Sequence, residues 1–149
     1  MTTPKLENGG HVVFVCVLNV DRSPLAEAMF RAKMKGLGWD CHIESAGILA
    51  IEGQPAAPEW RTHHFARNFD LSDHLSRGVS VVAYTDKTFF VCVDQIVHAF
   101  ASGLEGVSEE RVLLLHPRGV PSPREASYDT IFTLIHAGIA MLCHELDAY

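Results

Sequence analysis

Hydrophobic and polar positions along the chain alternate between short apolar runs and longer stretches with helical spacing. The runs at Val12 to Val17, Cys41 to Ala46, Phe89 to Val93 and Val112 to Leu115 predict strands. Helical spacing predicts helices over Pro24 to Lys35, Pro58 to Asn68, Gln95 to Ser102 and Tyr128 to Leu146, with Gly36, Gly38, Gly78, Gly103 and Gly106 marking stops. Alternating strands and helices imply a parallel sheet covered by helices on both faces, a three-layer α/β domain. Ligands in such sheets bind beyond the carboxyl ends of the strands, where Cys16 falls. On the last helix Ile131, Leu134, Ile135, Gly138, Met141, Leu142 and Glu145 share one stripe, which reads as core.

Composition narrows the class. A chain of 149 residues fits one domain and buries about 70% of its unfolded surface, enough for a core without disulfides or metal. Residues 1–10 are polar, end in Gly9-Gly10 and lack the apolar segment of a signal peptide, so they read as a flexible tail before a domain over residues 11–149. The stretch Ile131 to Cys143 contains His136 and is too short to span a bilayer. A cytoplasmic protein without a membrane partner is expected. The net charge of −6, with no block of lysine and arginine, argues against nucleic acid and leaves small anions or phosphorylated side chains as partners.

The four cysteines have no Cys-x2-Cys spacing, so neither zinc nor a disulfide framework is indicated; Cys41, Cys92 and Cys143 read as small core residues. His63 and His64 are adjacent, a poor chelate on a helix, and read as solvated. No metal or cofactor is expected.

The chemistry concentrates in Cys16-Val17-Leu18-Asn19-Val20-Asp21-Arg22-Ser23, between the first strand and the first helix. Loop amides from Val17 to Ser23 and the free N–H groups of the helix can converge on one point with partial positive charge, which suits a phosphate dianion. The same field stabilises a thiolate, making Cys16 a nucleophile at neutral pH. Asn19 tolerates the left-handed backbone that an inward-folding loop needs, and Arg22 offers a planar fork for two phosphate oxygens. Pro24 suits the first helical position, and Ser23 can cap the helix or bond the sulfur. Asp94 closes the third strand, where it can face the site or cap the next helix.

Here the chain resembles the low-molecular-weight protein tyrosine phosphatases, through Val13-Phe14-Val15-Cys16, Asn19, Arg22-Ser23-Pro24-Leu25-Ala26-Glu27-Ala28 and Glu44-Ser45-Ala46-Gly47. The Gly53-x-Pro55 turn, Leu71 to Arg77 and Phe90 to Asp94 extend the likeness over most of the chain. The resemblance implies a four-stranded sheet of order 2-1-3-4. It also implies that Cys16 attacks phosphorus to form a phosphocysteine, which water hydrolyses, while Arg22 and the amides hold the equatorial oxygens. Asn19, Ser23, Ser45 and His74 match the family's loop-bracing network.

The departures lie at the general acid. Where the family carries Asp-Pro-aromatic, this chain reads Ser122-Pro123-Arg124. A serine hydroxyl cannot replace that acid, and losing a general acid costs about 10²–10⁴-fold in rate. Asp21, Glu125 and Asp129 are the candidate substitutes. Leu18 replaces a common loop glycine and either crowds the cradle or points outward; Asp21 replaces a second cysteine, and an unengaged loop carboxylate is its plainer reading. The expected function is hydrolysis of phosphotyrosine or other aryl phosphates, with impaired acid catalysis, and inorganic phosphate, sulfate or vanadate should occupy the loop. A catalytically weak phosphoprotein-binding module is the alternative. A thiol-dependent arsenate reductase is a remoter one, because only Cys92 lies near the region that would need two further cysteines.

Overall fold

A computed structural model describes residues 3–149. Four parallel strands, β1 (His11–Cys16), β2 (His42–Gly47), β3 (Phe89–Cys92) and β4 (Val112–Leu114), form one sheet in the order β2-β1-β3-β4. Each coincides with an expected strand to within one residue. The central strands β1 and β3 are apolar almost without interruption because both their faces are covered, as parallel sheets require.

Helices α1 (Arg22–Leu37), α3 (Gln95–Ser102) and α4 (Tyr128–Glu145) are long, and α2 (Glu59–Thr62) is a single turn. The chain leaves β1 toward β2 in one direction and β3 toward β4 in the other, so right-handed crossovers put α1 and α3 on opposite faces. On the α1 face Phe14 meets Phe30 edge-on at 5.5 Å, and on the other face Tyr84 meets Phe90 at 5.2 Å. Both crossovers start at the carboxyl edge of the sheet, and there the chain reversal after β1 builds the candidate site.

Several expectations are corrected. The helix over Pro58 to Asn68 is broken: α2 ends at Thr62, His63 is extended with ψ 136°, and a 3₁₀ turn follows at Ala66–Asn68. The break follows from what His63 binds. Its Nδ1 accepts from the amides of Phe65 and Ala66, its Nε2 donates to Asp129 at 2.7 Å, and its ring stacks on Phe132 at 5.0 Å. With a side chain only 7% exposed, His63 is not a solvated residue, although His64 is exposed.

The segment expected as a tail is docked from residue 3 onward. Leu6 is buried, and its amide donates to the Leu146 carbonyl at 3.0 Å. Thr3 adds a hydrogen bond to Glu145 and Lys5 an ion pair with Asp147.

Helix α1 begins at Arg22, two residues before the expected start, so Pro24 is its third residue, still among the first-turn positions whose N–H has no helical partner. On α4 the buried stripe is Ile131, Phe132, Ile135, Gly138, Ile139, Leu142 and Cys143, while Met141 and Glu145 face outward. Gly138 is required there. A Cβ at this position would stand 2.5 Å from the Leu115 carbonyl oxygen, so a side chain would push α4 off the sheet. Cys92 and Cys143 are core residues, as expected, but Cys41 is only half-buried.

Candidate active site

Cys16 ends β1 and Arg22 opens α1, leaving Val17 to Asp21 as the loop between them. The loop is folded under tight constraint. Asn19 adopts φ 59°, the left-handed conformation its residue type permits. Gly47 at the end of β2 lets the loop pack against it, since a Cβ would lie 2.5 Å from the Val17 carbonyl oxygen and 3.0 Å from the Asn19 nitrogen.

Two groups point at the sulfur: the Ser23 hydroxyl lies 2.8 Å from Cys16 Sγ, and the Asn19 amide donates to it at 3.2 Å. Ser23 therefore serves the sulfur rather than capping the helix. The Asn19 side chain, fully buried, donates through Nδ2 to Ser23 at 2.8 Å and to Ser45 at 2.9 Å and accepts from the Arg77 amide at 3.0 Å. His74 Nε2 donates to the Asn19 carbonyl at 2.7 Å. Asn19, Ser23, Ser45 and His74 are thus brought into one network with Cys16.

Two members escaped the sequence reading. Glu27 on α1 accepts from Ser45 at 2.7 Å, and Arg77 contributes its amide to Asn19, its carbonyl to the Gly47 amide and its Nε to the Ser45 carbonyl. Both lie within the quoted motifs, Glu27 one turn into the helix and Arg77 just after His74; the missing clue was which backbone groups the loop leaves exposed.

Arg22 is 5% exposed and donates through Nη1 to Asp94 at 3.0 Å and to the Val120 carbonyl at 2.8 Å. Asp94 has both roles considered for it, because its other oxygen accepts from the Val97 amide and caps α3. One carboxylate therefore ties the loop arginine to the rigid end of the sheet.

Cys16, Val17, Leu18, Asp21 and Arg22 share a pocket of about 460 Å³ with Ser122, Pro123 and Arg124. Leu18 is 47% exposed, so it points outward and does not fill the cradle. Among the three candidate acids only Asp21 lines the pocket. The Glu125 carboxylate accepts from the Ser122 amide, and Asp129 is engaged by His63. Asp21 accepts from the Tyr128 hydroxyl at 2.7 Å, and its carbonyl accepts from Trp60 Nε1. Burial pushes its carboxyl above the ordinary carboxylate range, with Glu59 adding in the same direction and Tyr128 and Arg22 opposing. The buried Cys92 thiol is pushed up by burial and by Asp94, and Cys143 by burial. Among the described residues no helix is long and apolar enough to cross a membrane. His11, His42 and Glu44, away from this pocket, are grouped closely enough to hold a metal ion.

An apolar central strand, a tight loop, a cysteine at the strand end and an arginine at the helix start together define an α/β protein of phosphatase architecture. The chain belongs to the low molecular weight phosphotyrosine protein phosphatase family, whose sequence profile matches residues 11–148. It is 38% identical over 72 residues to a probable low molecular weight protein-tyrosine-phosphatase, EpsP, of Ralstonia nicotianae, a match covering 46% of this chain and 45% of that one. It is 34% identical over 65 residues to a protein-arginine-phosphatase of Bacillus subtilis, covering 44% of this chain and 43% of that one. These alignments span less than half the length of either relative. The fold matches the crystal structure of the Escherichia coli K30 tyrosine phosphatase Wzb in complex with sulphate at a TM-score of 0.74, 17% identity and coverage of 91% of this chain and 97% of that one.

Proposed function

We propose that the protein hydrolyses phosphate monoesters of the aryl type, phosphotyrosine among them, with Cys16 as nucleophile. The carrying observation is the pair of groups that meet Cys16 Sγ, the Ser23 hydroxyl and the Asn19 backbone amide, in a pocket that Arg22 also lines. The thiolate lone pair forms the S–P bond as the P–O bond to the phenol breaks, giving phosphocysteine and a phenolate. Water then attacks phosphorus, the S–P bond breaks, and inorganic phosphate leaves with the thiolate restored. Arg22 and the loop amides stabilise the equatorial oxygens, work that a preorganised site performs without reorganising.

The leaving oxygen has poor support. Ser122 stands at the pocket mouth, and Asp21 is the carboxyl within the pocket, raised by burial toward the protonated form that could donate. Impaired acid catalysis is therefore part of the proposal. The second reading, a phosphoprotein-binding module, is favoured by the same absence of a carboxyl at Ser122. Arsenate reduction finds no support, because Cys92 and Cys143 are buried and their thiols disfavour ionisation.

Turnover of nitrophenyl phosphate beside a phosphotyrosine peptide decides between the first two readings. A phosphoarginine peptide is added because one relative is named for that activity. Fast hydrolysis of the activated ester with slow hydrolysis of phosphotyrosine supports the proposal. Binding of phosphopeptide without any turnover selects the binding module, and preference for phosphoarginine overturns the aryl assignment.

A further inference from the structure

At the opposite end of the strands from Cys16, His11 of β1 and His42 of β2 are direct partners across the parallel pair, and Glu44 follows two residues along β2 on the same face. Their rings stack at 4.7 Å with 25° between planes. Both Nε2 atoms approach one oxygen of Glu44, His11 at 2.5 Å and His42 at 3.3 Å. We propose that His11 Nε2, His42 Nε2 and Glu44 Oε2 form a binding site for a divalent transition-metal ion of the zinc class.

The donor set is the argument. Two imidazoles and one carboxylate suit zinc, with the fourth position left to water. His42 and Glu44 border an open cleft of about 470 Å³, which gives that position and an entry path. Outer partners are already in place. Thr88 Oγ1 lies 2.8 Å from His11 Nδ1 and can accept its proton, which leaves Nε2 with a free lone pair for the ion. Arg77 binds the other Glu44 oxygen, Oε1, and so orients Oε2 toward the histidines. Ligand formation needs no net proton loss from His11, because the single proton of the neutral ring moves from Nε2 to Nδ1.

The surroundings of His11 support the same assignment. The groups facing it are His42 and Glu44 from β2, Arg77 from the following connection and Thr88 before β3. The sequence shows no metal motif, since the ligands come from strands 31 positions apart, joined only by the β1–β2 register.

The test uses untagged protein carrying Cys16→Ser, which removes the pocket cysteine as a competing ligand, and titrates Zn²⁺ by calorimetry and Co²⁺ by visible absorption. One ion per chain is expected, with Co²⁺ bands of a four-coordinate N/O site and a rise in melting temperature with Zn²⁺. Adding His42→Ala, at an exposed side chain that the fold does not need, should weaken binding tenfold or more and abolish the rise. Glu44→Gln should do the same. Absence of one-to-one binding, or unchanged affinity in the His42→Ala protein, overturns the site. None of these readouts depends on phosphatase activity, so failure of the metal site and failure of the catalytic reading are separable.

Discussion

The two walls of the pocket beside Cys16 are built on opposite principles. On the loop wall Asn19, Ser23 and Ser45 are buried with every polar atom engaged, and Arg22 is held by Asp94 and the Val120 carbonyl. On the facing wall Ser122 and Pro123 are half-buried, Arg124 is exposed, and the main ties are the Glu125 side chain on the Ser122 amide and the turn bonds behind it. A buried network tolerates no substitution without leaving a polar group unpaired, whereas a rim residue changes cheaply. On the proposed reading, oxyanion binding rests on the buried wall, and leaving-group chemistry is free to diverge. The loss of the family's acid occurs on the cheap wall, and the loop wall's own departures, Leu18 and Asp21, fall at positions that are not buried.

The largest expected effect comes from the loop wall itself. Cys16→Ser should reduce turnover of nitrophenyl phosphate by at least about 10⁴-fold, as removal of a nucleophile does, while phosphate still binds. Equal turnover in that variant would place the chemistry elsewhere and end the contrast between walls.

The rim is tested by repair. Ser122→Asp should increase phosphotyrosine turnover by about 10–10³-fold, a discounted share of the usual general-acid effect because Arg124 also differs from the family pattern. Wild type should lose rate steeply as the leaving phenol becomes more basic, and the variant less so. A flat dependence in wild type would show that a proton donor is already present.

Bracing comes next. Asn19→Ala removes the partner of Ser23, Ser45 and the Arg77 amide at a residue held at φ 59°, and should cost about 2–4 kcal/mol of unfolding free energy. His74→Ala removes one donor from a half-buried contact and should cost only about 1 kcal/mol, with weaker vanadate binding and unchanged leaving-group dependence. Denaturant melts and vanadate inhibition measure both. If His74→Ala alters leaving-group dependence, the residue reaches the reacting atoms and is not a brace.

The same division explains what the sequence made legible. The strands and the loop could be read from local pattern, whereas Asn19, Ser23, Ser45 and His74 could be read as braces only through the motifs that resemble the family's. Glu27 and Arg77 could not, because their roles follow from which loop groups remain unpaired after folding. The break at His63 was hidden for a related reason: helical spacing through Asn68 is outweighed by a histidine captured between Asp129 and Phe132, partners 66 and 69 positions away. Leu6 shows the limit at the other end, since one apolar residue in a polar segment has no periodicity to reveal it.

The smallest effect concerns Asp21, the one carboxyl that belongs to the loop and faces the rim. Its pKa in the folded protein is raised above the ordinary 3.8, chiefly by burial. Folding therefore favours the protonated form: the stability this group contributes is present below the ordinary value and is lost as pH rises through the folded one. Asp21→Asn keeps an acceptor for the Tyr128 hydroxyl and carries no charge, so it should lack that slope. Between pH 4 and pH 7 the wild type should lose melting temperature relative to the variant, by on the order of 2 °C. If Asp21 is also the proton donor to the leaving oxygen, the variant will steepen the leaving-group dependence while nitrophenyl phosphate turnover holds. A variant with the wild-type dependence leaves Asp21 a structural partner of Tyr128, and the protein then cleaves its esters with no acid in the pocket.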